Sequence, residues 1–215
     1  VYKRQISHME RVAAAWVEQH SRSCSEADVE AMFERFVPLQ LEVLADHAQL
    51  ISEVPLAQAS FRRRGLAVGT TTGYNREMMD VLVPLAKRQG YEPDHVVCAS
   101  EVPAGRPAPW MALRNAEHLG IYPLESCVKI GDTPSDIAEG LNAGMWSVGV
   151  VMSSNELGMN PDEIRRADDS ELERRKEWAR GRMLGAGAHF VIDSLCDVNE
   201  VLDEIGERLK RGERP

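Results

Sequence analysis

The chain has 215 residues, of which 43% are hydrophobic and 27% charged, and it carries a net charge of −9. This composition supports a folded core and excludes wholesale disorder. The acidic balance argues against a general nucleic-acid binder, although local positive charge could still hold a small phosphorylated ligand. No apolar run in the sequence approaches a membrane span, and no secretory signal follows the first residues.

The four cysteines, Cys24, Cys98, Cys127 and Cys196, are scattered and form no Cys-x-x-Cys pair. This spacing argues against a zinc cluster and against a disulfide framework. We therefore expect reduced thiols in a cytoplasmic protein.

The first residues, "VYKRQ", lack an initiator methionine and have no structural pattern. We interpret residues 1–5 as foreign, similar to a translated adapter remnant, and expect the chain to begin within a longer protein. The alternative is a real but unremarkable terminus.

Residues 6–50 predict two or three helices and no strand, which indicates a small helical subdomain. Ser25, with Asp28 three residues later, predicts a capping box at the start of a helix. Pro38 is expected to kink or divide that helix.

From about residue 51 onward, apolar strands alternate with helices. The predicted strands are 66–73, 95–100, 127–132, 146–151 and 189–195, and the predicted helices are 54–65, 75–90, 108–120, 134–144 and 198–212. Such alternation predicts βαβ units and a buried parallel sheet, which makes this part an α/β, Rossmann-like core. Residues 160–183 predict a charged helical excursion from it.

Polar stretches follow three of these strands: "TTTGY", "SEVPAGRP" and "GDTPSD". Ligands of parallel α/β sheets bind at the carboxyl ends of the strands, so the fold should bring all three to one edge. Asp132 stands at a strand tip, and Asp136 lies near the start of the next helix. Two carboxylates so placed favour Mg2+, with one ligating directly and the other orienting a bound water. Alternatively, Asp136 is only a helix-terminal acid favoured by the dipole.

The other two stretches supply donors for an anion. The hydroxyls of Thr71 and Thr72 and the turn at Gly73 can donate hydrogen bonds to phosphate oxygens, although threonines also cap many helices. Tyr74 either reaches the ligand or covers the turn. Arg106, rigidly placed between Gly105 and Pro107, suits a phosphoryl or phosphonyl group; the alternative is a surface arginine. Trp110 is expected in the core.

Together, "TTTGY", "GRP" and "GDTPSD" resemble motifs II, III and IV of the haloacid dehalogenase superfamily. Four longer stretches closely resemble the sequences of phosphonoacetaldehyde hydrolases, or phosphonatases. They are "TTGYNREMMD", "SEVPAGRPAPWM", "LGIYPLESCVKIGDT" and "EGLNAGMWSVGV". The resemblance extends from about Met9 to the last helix and is dense in residues 69–159. It implies a haloacid dehalogenase-type core over residues 51–215 and a partial helical cap over residues 1–50.

The resemblance also implies an activity, the hydrolysis of the carbon–phosphorus bond of phosphonoacetaldehyde to acetaldehyde and phosphate. In this family an aspartate attacks phosphorus, a cap lysine forms a Schiff base with the aldehyde, and Mg2+ steadies the phosphonyl charge. Asp132 matches the metal ligand and Asp136 the second acid of its motif. Thr72 matches the motif II hydroxyl, with Thr71 the near alternative and Gly73 beside it, while Arg106 and Tyr74 match residues near the substrate.

Two parts of the family pattern are missing. No Asp-x-Ala-Gly-Thr-Thr run occurs in the sequence, and the position expected for the lysine falls in the foreign-looking start, so we do not assign this role to Lys3. Lys129 lies inside a strand and receives no catalytic role. We therefore expect an inactive fragment that lacks its first, central strand and is poorly stable alone because two sheet edges are open.

Two other functions remain open at this point. One is a different phosphatase or phosphomutase of the same superfamily, and the other is a non-catalytic phosphate-binding protein that lost its nucleophile. The resemblance further implies a small phosphonate as the partner and allows a homodimer formed through the cap. The acidic charge and the lack of a long apolar run predict neither nucleic acid nor membrane as a partner.

Overall fold

The computed structural model describes residues 6–215. The chain divides into two compact units, one that ends at Ala48 and one that comprises Gln49–Pro215. None of the helices in the described part of the chain is both long and apolar enough to cross a membrane.

The first unit is helical and contains α1 (Glu10–His20) and α2 (Glu26–Leu44). The predicted capping box is confirmed: the Ser25 side chain accepts from the Asp28 amide, and the Asp28 carboxylate accepts from the Ser25 amide at 2.8 Å. Of the two outcomes expected at Pro38, a kink or a division of the helix, the division is wrong, because α2 continues through Pro38. The missing N–H of a proline removes one hydrogen bond, and 19 residues of capped helix tolerate that loss.

The helix α2 carries an exposed apolar row formed by Met32, Phe36, Leu39 and Val43, each 44–61% exposed. These positions recur at spacings of three and four residues and so lie on one helix face. The homodimer expected through this unit stays a prediction.

The second unit alternates helices and strands in the order expected of an α/β fold. Its helices are α3 (Val54–Arg63), α4 (Arg76–Arg88), α5 (Trp110–His118), α6 (Pro134–Asn142), α7 (Pro161–Arg166), α8 (Asp169–Gly185) and α9 (Val198–Lys210). Its strands are β1 (Gly69–Thr72), β2 (His95–Cys98), β3 (Val128–Gly131), β4 (Trp146–Val150) and β5 (Phe190–Ile192). The predicted α/β class and parallel strands are thereby confirmed.

The five strands form two parallel sheets, β1–β2 and β3–β4–β5. Among the described residues, β1 pairs only with β2, and β3 pairs only with β4, so each has one open edge. Burial follows from this arrangement: β4, flanked on both sides, is buried throughout, whereas Gly69 in β1 is exposed and the rest of that strand is half-buried. The prediction that this first strand is buried is therefore wrong.

The residues of β4 alternate between two packed faces. Trp146, Val148 and Val150 form one cluster with Ile192 of β5 and with Val198, Val201 and Ile205 of α9. On the other face, the Ser147 hydroxyl donates to a carbonyl of α6, and a Cβ at Gly149 would lie 2.9 Å from Met183 Cγ of α8. This period of two is the pattern expected of a central strand covered on both sides.

The predicted excursion forms α7 and α8, and α8 is attached in two different ways. Ala179 and Met183 of α8 are fully buried in the second unit. Ion pairs hold the polar side of the helix: Lys176 lies 2.7 Å from both Glu173 and Asp193, and Arg182 lies 3.0 Å from Glu156. The segment is thus a covering layer fixed by a narrow apolar stripe and by charges.

Candidate active site

The three polar stretches singled out in the sequence lie at the carboxyl ends of parallel strands or directly after them. Thr72 is the last residue of β1, Arg106 precedes α5, and Asp132 follows β3. The prediction that Trp110 lies in the core is wrong: at the start of α5 it is 46% exposed.

Arg106 and Asp136 form an ion pair between Nη1 and Oδ1. The Asp136 side chain is only 4% exposed, whereas that of Arg106 is 23% exposed and so reaches the surface of the site. Arg106 also lies beside the turn after β1, because a Cβ added at Gly73 would be 4.0 Å from Arg106 Nη2. The structure therefore brings the "TTTGY" turn, the "GRP" arginine and the "GDTPSD" carboxylate together.

The two threonines at the end of β1 have different surroundings. The Thr72 hydroxyl oxygen accepts a hydrogen bond from the Tyr74 amide at 3.1 Å, which fixes the turn around Gly73. The Thr71 hydroxyl donates to Glu139 Oε2 at 2.9 Å and accepts from Lys129 Nζ at 2.7 Å. Neighbouring strand residues point to opposite faces, so only one of the two can face a ligand in the turn. Tyr74 is 38% exposed.

Asp132 is a half-buried carboxylate next to a second one. Its burial and the charge of Asp136 raise the pKa of Asp132, while a hydrogen bond from the Asn155 amide acts in the opposite direction. The loop that contains Asn155 follows β4 and carries no motif recognised in the sequence. Burial and the neighbouring carboxylate together disfavour the ionised form of Asp132, although the charge of Arg106 opposes them in part.

Asp136 is deeply buried, and burial by itself would raise its pKa. Lys129 and Arg106, helped by a hydrogen bond from Thr133, outweigh burial and hold the pKa of Asp136 below its usual range. Thr133 is also the N-cap of α6: its hydroxyl donates to Asp136 Oδ2 at 2.6 Å and accepts from the Asp136 amide at 3.3 Å. Asp136 is thus fixed at both carboxylate oxygens.

Sequence reasoning missed a buried ionic cluster behind the arginine. Lys129 Nζ lies 2.6 Å from Glu139 Oε2 and 3.2 Å from Asp136 Oδ1, and Glu139 is fully buried. Two signals in the sequence point to it. Lys129 interrupts an otherwise apolar strand, and Glu139 lies three residues after Asp136, which places both acids on one face of α6.

The chemistry of Asp132 and Asp136 fits Mg2+, which prefers carboxylate oxygens. A divalent cation at Asp132 would offset the burial and the repulsion from Asp136 that disfavour its ionised form. Among residues 6–215, however, no cluster of three or more acidic, histidine or cysteine side chains is placed to hold a metal. Asp132 would therefore bind Mg2+ together with water and groups from outside this pair.

Comparisons with known proteins agree with the motifs. A family model described as "haloacid dehalogenase-like hydrolase" matches residues 2–144. A phosphonoacetaldehyde hydrolase-like protein of Syntrophobacter fumaroxidans is 46% identical over 99% of this chain and 76% of its own length. A phosphonoacetaldehyde hydrolase of Bacillus cereus is 43% identical over 94% of this chain and 76% of its own length.

Solved structures of related proteins support the same family assignment. The crystal structure of a phosphonoacetaldehyde hydrolase-like protein from Oleispira antarctica superimposes with a TM-score of 0.93 at 36% identity, covering 100% of this chain and 77% of that one. A Deinococcus radiodurans hydrolase of the haloacid dehalogenase family, solved with bound phosphate and sodium, shares 22% identity and a TM-score of 0.55, which shows a common fold. The chain belongs to the phosphonoacetaldehyde hydrolases, a group of enzymes within the haloacid dehalogenase-like hydrolases.

Proposed function

We propose that this chain supplies the phosphonyl-binding half of an enzyme that hydrolyses phosphonoacetaldehyde to acetaldehyde and phosphate. One observation carries the proposal: Arg106 lies next to the Gly73 turn and is held there by the buried carboxylate of Asp136. One guanidinium nitrogen is used by Asp136, and the remaining N–H groups are free to meet phosphonyl oxygens in the bidentate manner typical of arginine.

The reaction itself needs stabilisation at two places. Cleavage of the carbon–phosphorus bond leaves its electron pair on carbon, which departs easily only when an iminium group accepts that pair. The phosphonyl group carries negative charge throughout its transfer, and Arg106 and the Thr72–Gly73 turn would stabilise it. Mg2+, when bound at Asp132, would supply further charge stabilisation. We assign no imine-forming role to Lys129, since its ammonium is used by three acceptors.

We further propose that the attacking aspartate comes from a strand seated between β1 and β3. Both strands have an edge without backbone pairing among the described residues, and Thr71 of β1 meets Lys129 of β3 through side chains instead. Glu139 lies at this junction, and its Oε1 atom is buried without a hydrogen-bond partner in the described chain. An inserted strand would pair both edges and could bring a donor to that oxygen.

A steady-state assay tests the proposal directly. The purified chain is incubated with phosphonoacetaldehyde and Mg2+, and acetaldehyde is followed by NADH consumption with alcohol dehydrogenase. We expect no turnover by the chain alone, and turnover by an extended form that carries an upstream Asp-x-Ala-Gly-Thr-Thr strand. Substantial turnover by the unextended chain would show that the nucleophile lies within it and would refute the inserted strand.

Substrate class is tested on the extended form. Arg106→Ala should lower kcat/KM by about 100-fold or more, because a charged donor to the transferring group is lost. Arg165→Ala, on the exposed side of α7, serves as the matched control and should leave kcat/KM unchanged. If a panel of phosphomonoesters is hydrolysed with higher kcat/KM than phosphonoacetaldehyde, the enzyme is a phosphatase of the same superfamily.

A further inference from the structure

Within residues 6–215, Lys129 is the least exposed lysine: its side chain is only 11% exposed, and its ammonium meets three acceptors. These are Thr71 Oγ1 at 2.7 Å, Glu139 Oε2 at 2.6 Å and Asp136 Oδ1 at 3.2 Å. An ammonium has three protons, so this set uses all of its donors. Lys129 therefore has no donor left for a substrate.

The three acceptors belong to two elements other than the strand that carries the lysine. Thr71 is in β1, and both acids are in α6, while Lys129 itself is in β3. Since β1 and β3 share no backbone hydrogen bond among the described residues, this cluster joins the two sheets by side-chain contacts. A buried charged cluster has a preferred geometry, because each misplaced partner would leave a charge unpaired in a medium of low dielectric constant.

The joined elements carry the two halves of the candidate anion site. Thr71 directly precedes the Thr72–Gly73 turn, and Asp136 holds Arg106. We propose that Lys129 is a positioning residue, which clamps β1 to β3 and α6 and thereby fixes the distance between the Thr72–Gly73 turn and the guanidinium of Arg106. That these groups bind a phosphonyl group rests on the proposed function; the clamp itself does not.

Native-state hydrogen exchange tests the clamp on this chain without a ligand. Lys129→Met keeps the length and packing of the side chain but removes its donors, so the amides of residues 69–73 should exchange about tenfold faster relative to those of residues 146–150. Lys129→Arg keeps the charge and donors and should restore most of the protection. Equal exchange in the Met and Arg variants would reduce the role of Lys129 to packing and would overturn the clamp.

Two further variants separate the clamp from a general loss of stability. Lys129→Met leaves Glu139 as an unpaired buried charge, whereas the double variant Lys129→Met/Glu139→Gln leaves a neutral pair that should fold. The double variant should still show the faster exchange at residues 69–73; full protection there would overturn the proposal. Lys176→Met is the matched control, because Lys176 also bridges two carboxylates, at 2.7 Å each, but outside the site. It should leave exchange at residues 69–73 unchanged.

The consequence for the site is read in the extended enzyme. Loss of the clamp should raise KM for phosphonoacetaldehyde about tenfold in the double variant. The Thr72–Gly73 turn and Arg106 would then no longer be held at the distance needed to bind the same phosphonyl group. A double variant with faster exchange but unchanged KM and kcat would overturn the positioning role. If the extended wild-type form does not hydrolyse phosphonoacetaldehyde, the proposed function fails, while the exchange experiment still decides the clamp.

Discussion

Gly131, the last residue of β3, gives the sharpest test of how tightly the site is built. A Cβ at this position would overlap Asp136 Cβ most severely and would lie 2.6 Å from Asp136 Cγ, whereas carbon atoms in contact are normally about 3.5 Å apart. Asp136 would therefore have to retreat by at least about 1 Å. It cannot do so freely, because Thr133, Arg106 and Lys129 hold its two carboxylate oxygens. We expect Gly131→Ala to destabilise the protein by about 1–3 kcal/mol, as overpacking of a filled interior does.

The assay is urea unfolding followed by circular dichroism. With a slope of about 1–3 kcal/mol per molar urea, the expected loss lowers the midpoint by about 1 M. The control is Gly206→Ala in α9, where an added Cβ meets nothing within 4 Å, and which should stabilise the helix by about 0.5–1 kcal/mol. An unchanged midpoint for Gly131→Ala would refute the close approach of β3 to Asp136. In the extended enzyme, the same displacement should lower kcat/KM by about 100-fold.

Three other substitutions have defined outcomes. Asp132→Asn should raise the thermal midpoint at pH 7 without metal, because it removes the buried charge that faces Asp136, and should abolish any rise in midpoint on addition of Mg2+; a lower metal-free midpoint would contradict the repulsion. Asp136 has a lowered pKa in the folded state, so the stability that its ionised form contributes is complete above its unfolded pKa of about 4 and is lost as the pH falls below that value. Asp136→Asn should flatten this part of the urea midpoint against pH, and a curve of unchanged shape would contradict the assignment. Met183→Ala should cost about 2–5 kcal/mol of unfolding free energy, because the side chain is fully buried against Gly149; a loss below 1 kcal/mol by urea titration would show that α8 packs loosely.

Periodicity and turn chemistry predicted most of the architecture. The capping box at Ser25 and the helix ends before Gly65 and Gly90 follow from local rules, and both glycines have positive φ values in the structure. The parallel pairing followed from alternating strands and helices. Local rules failed where tertiary packing determines the outcome. Pro38 suggested a break in the helix, but α2 continues through it, and Trp110 is a large apolar residue that nevertheless lies at the surface.

The candidate site was predictable as far as its motifs reach. The strand-exit rule placed Thr72, Arg106 and Asp132 at one edge, and their roles stay predictions until an assay tests them. The buried partners were not predictable in the same way. A lysine in a strand signals that an acid must lie nearby, but only the packing of α6 onto β3 identifies Glu139 as that acid. The role of the Asn155 amide could not be found at all, since every residue carries such a group.

Because ion pairs help to attach α8 to the rest of the second unit, ionic strength should change how firmly this helix is held. Charges on Lys176, Arg182 and their partners are partly exposed, so molar salt, with a screening length of about 3 Å, weakens them more than it weakens the buried cluster around Lys129. The hydrophobic stripe at Ala179 and Met183 responds in the opposite sense to strongly hydrated anions such as sulfate. At equal ionic strength, chloride and sulfate should weaken the ion pairs of α8 to a similar extent, but only sulfate should also strengthen the apolar packing of Ala179 and Met183.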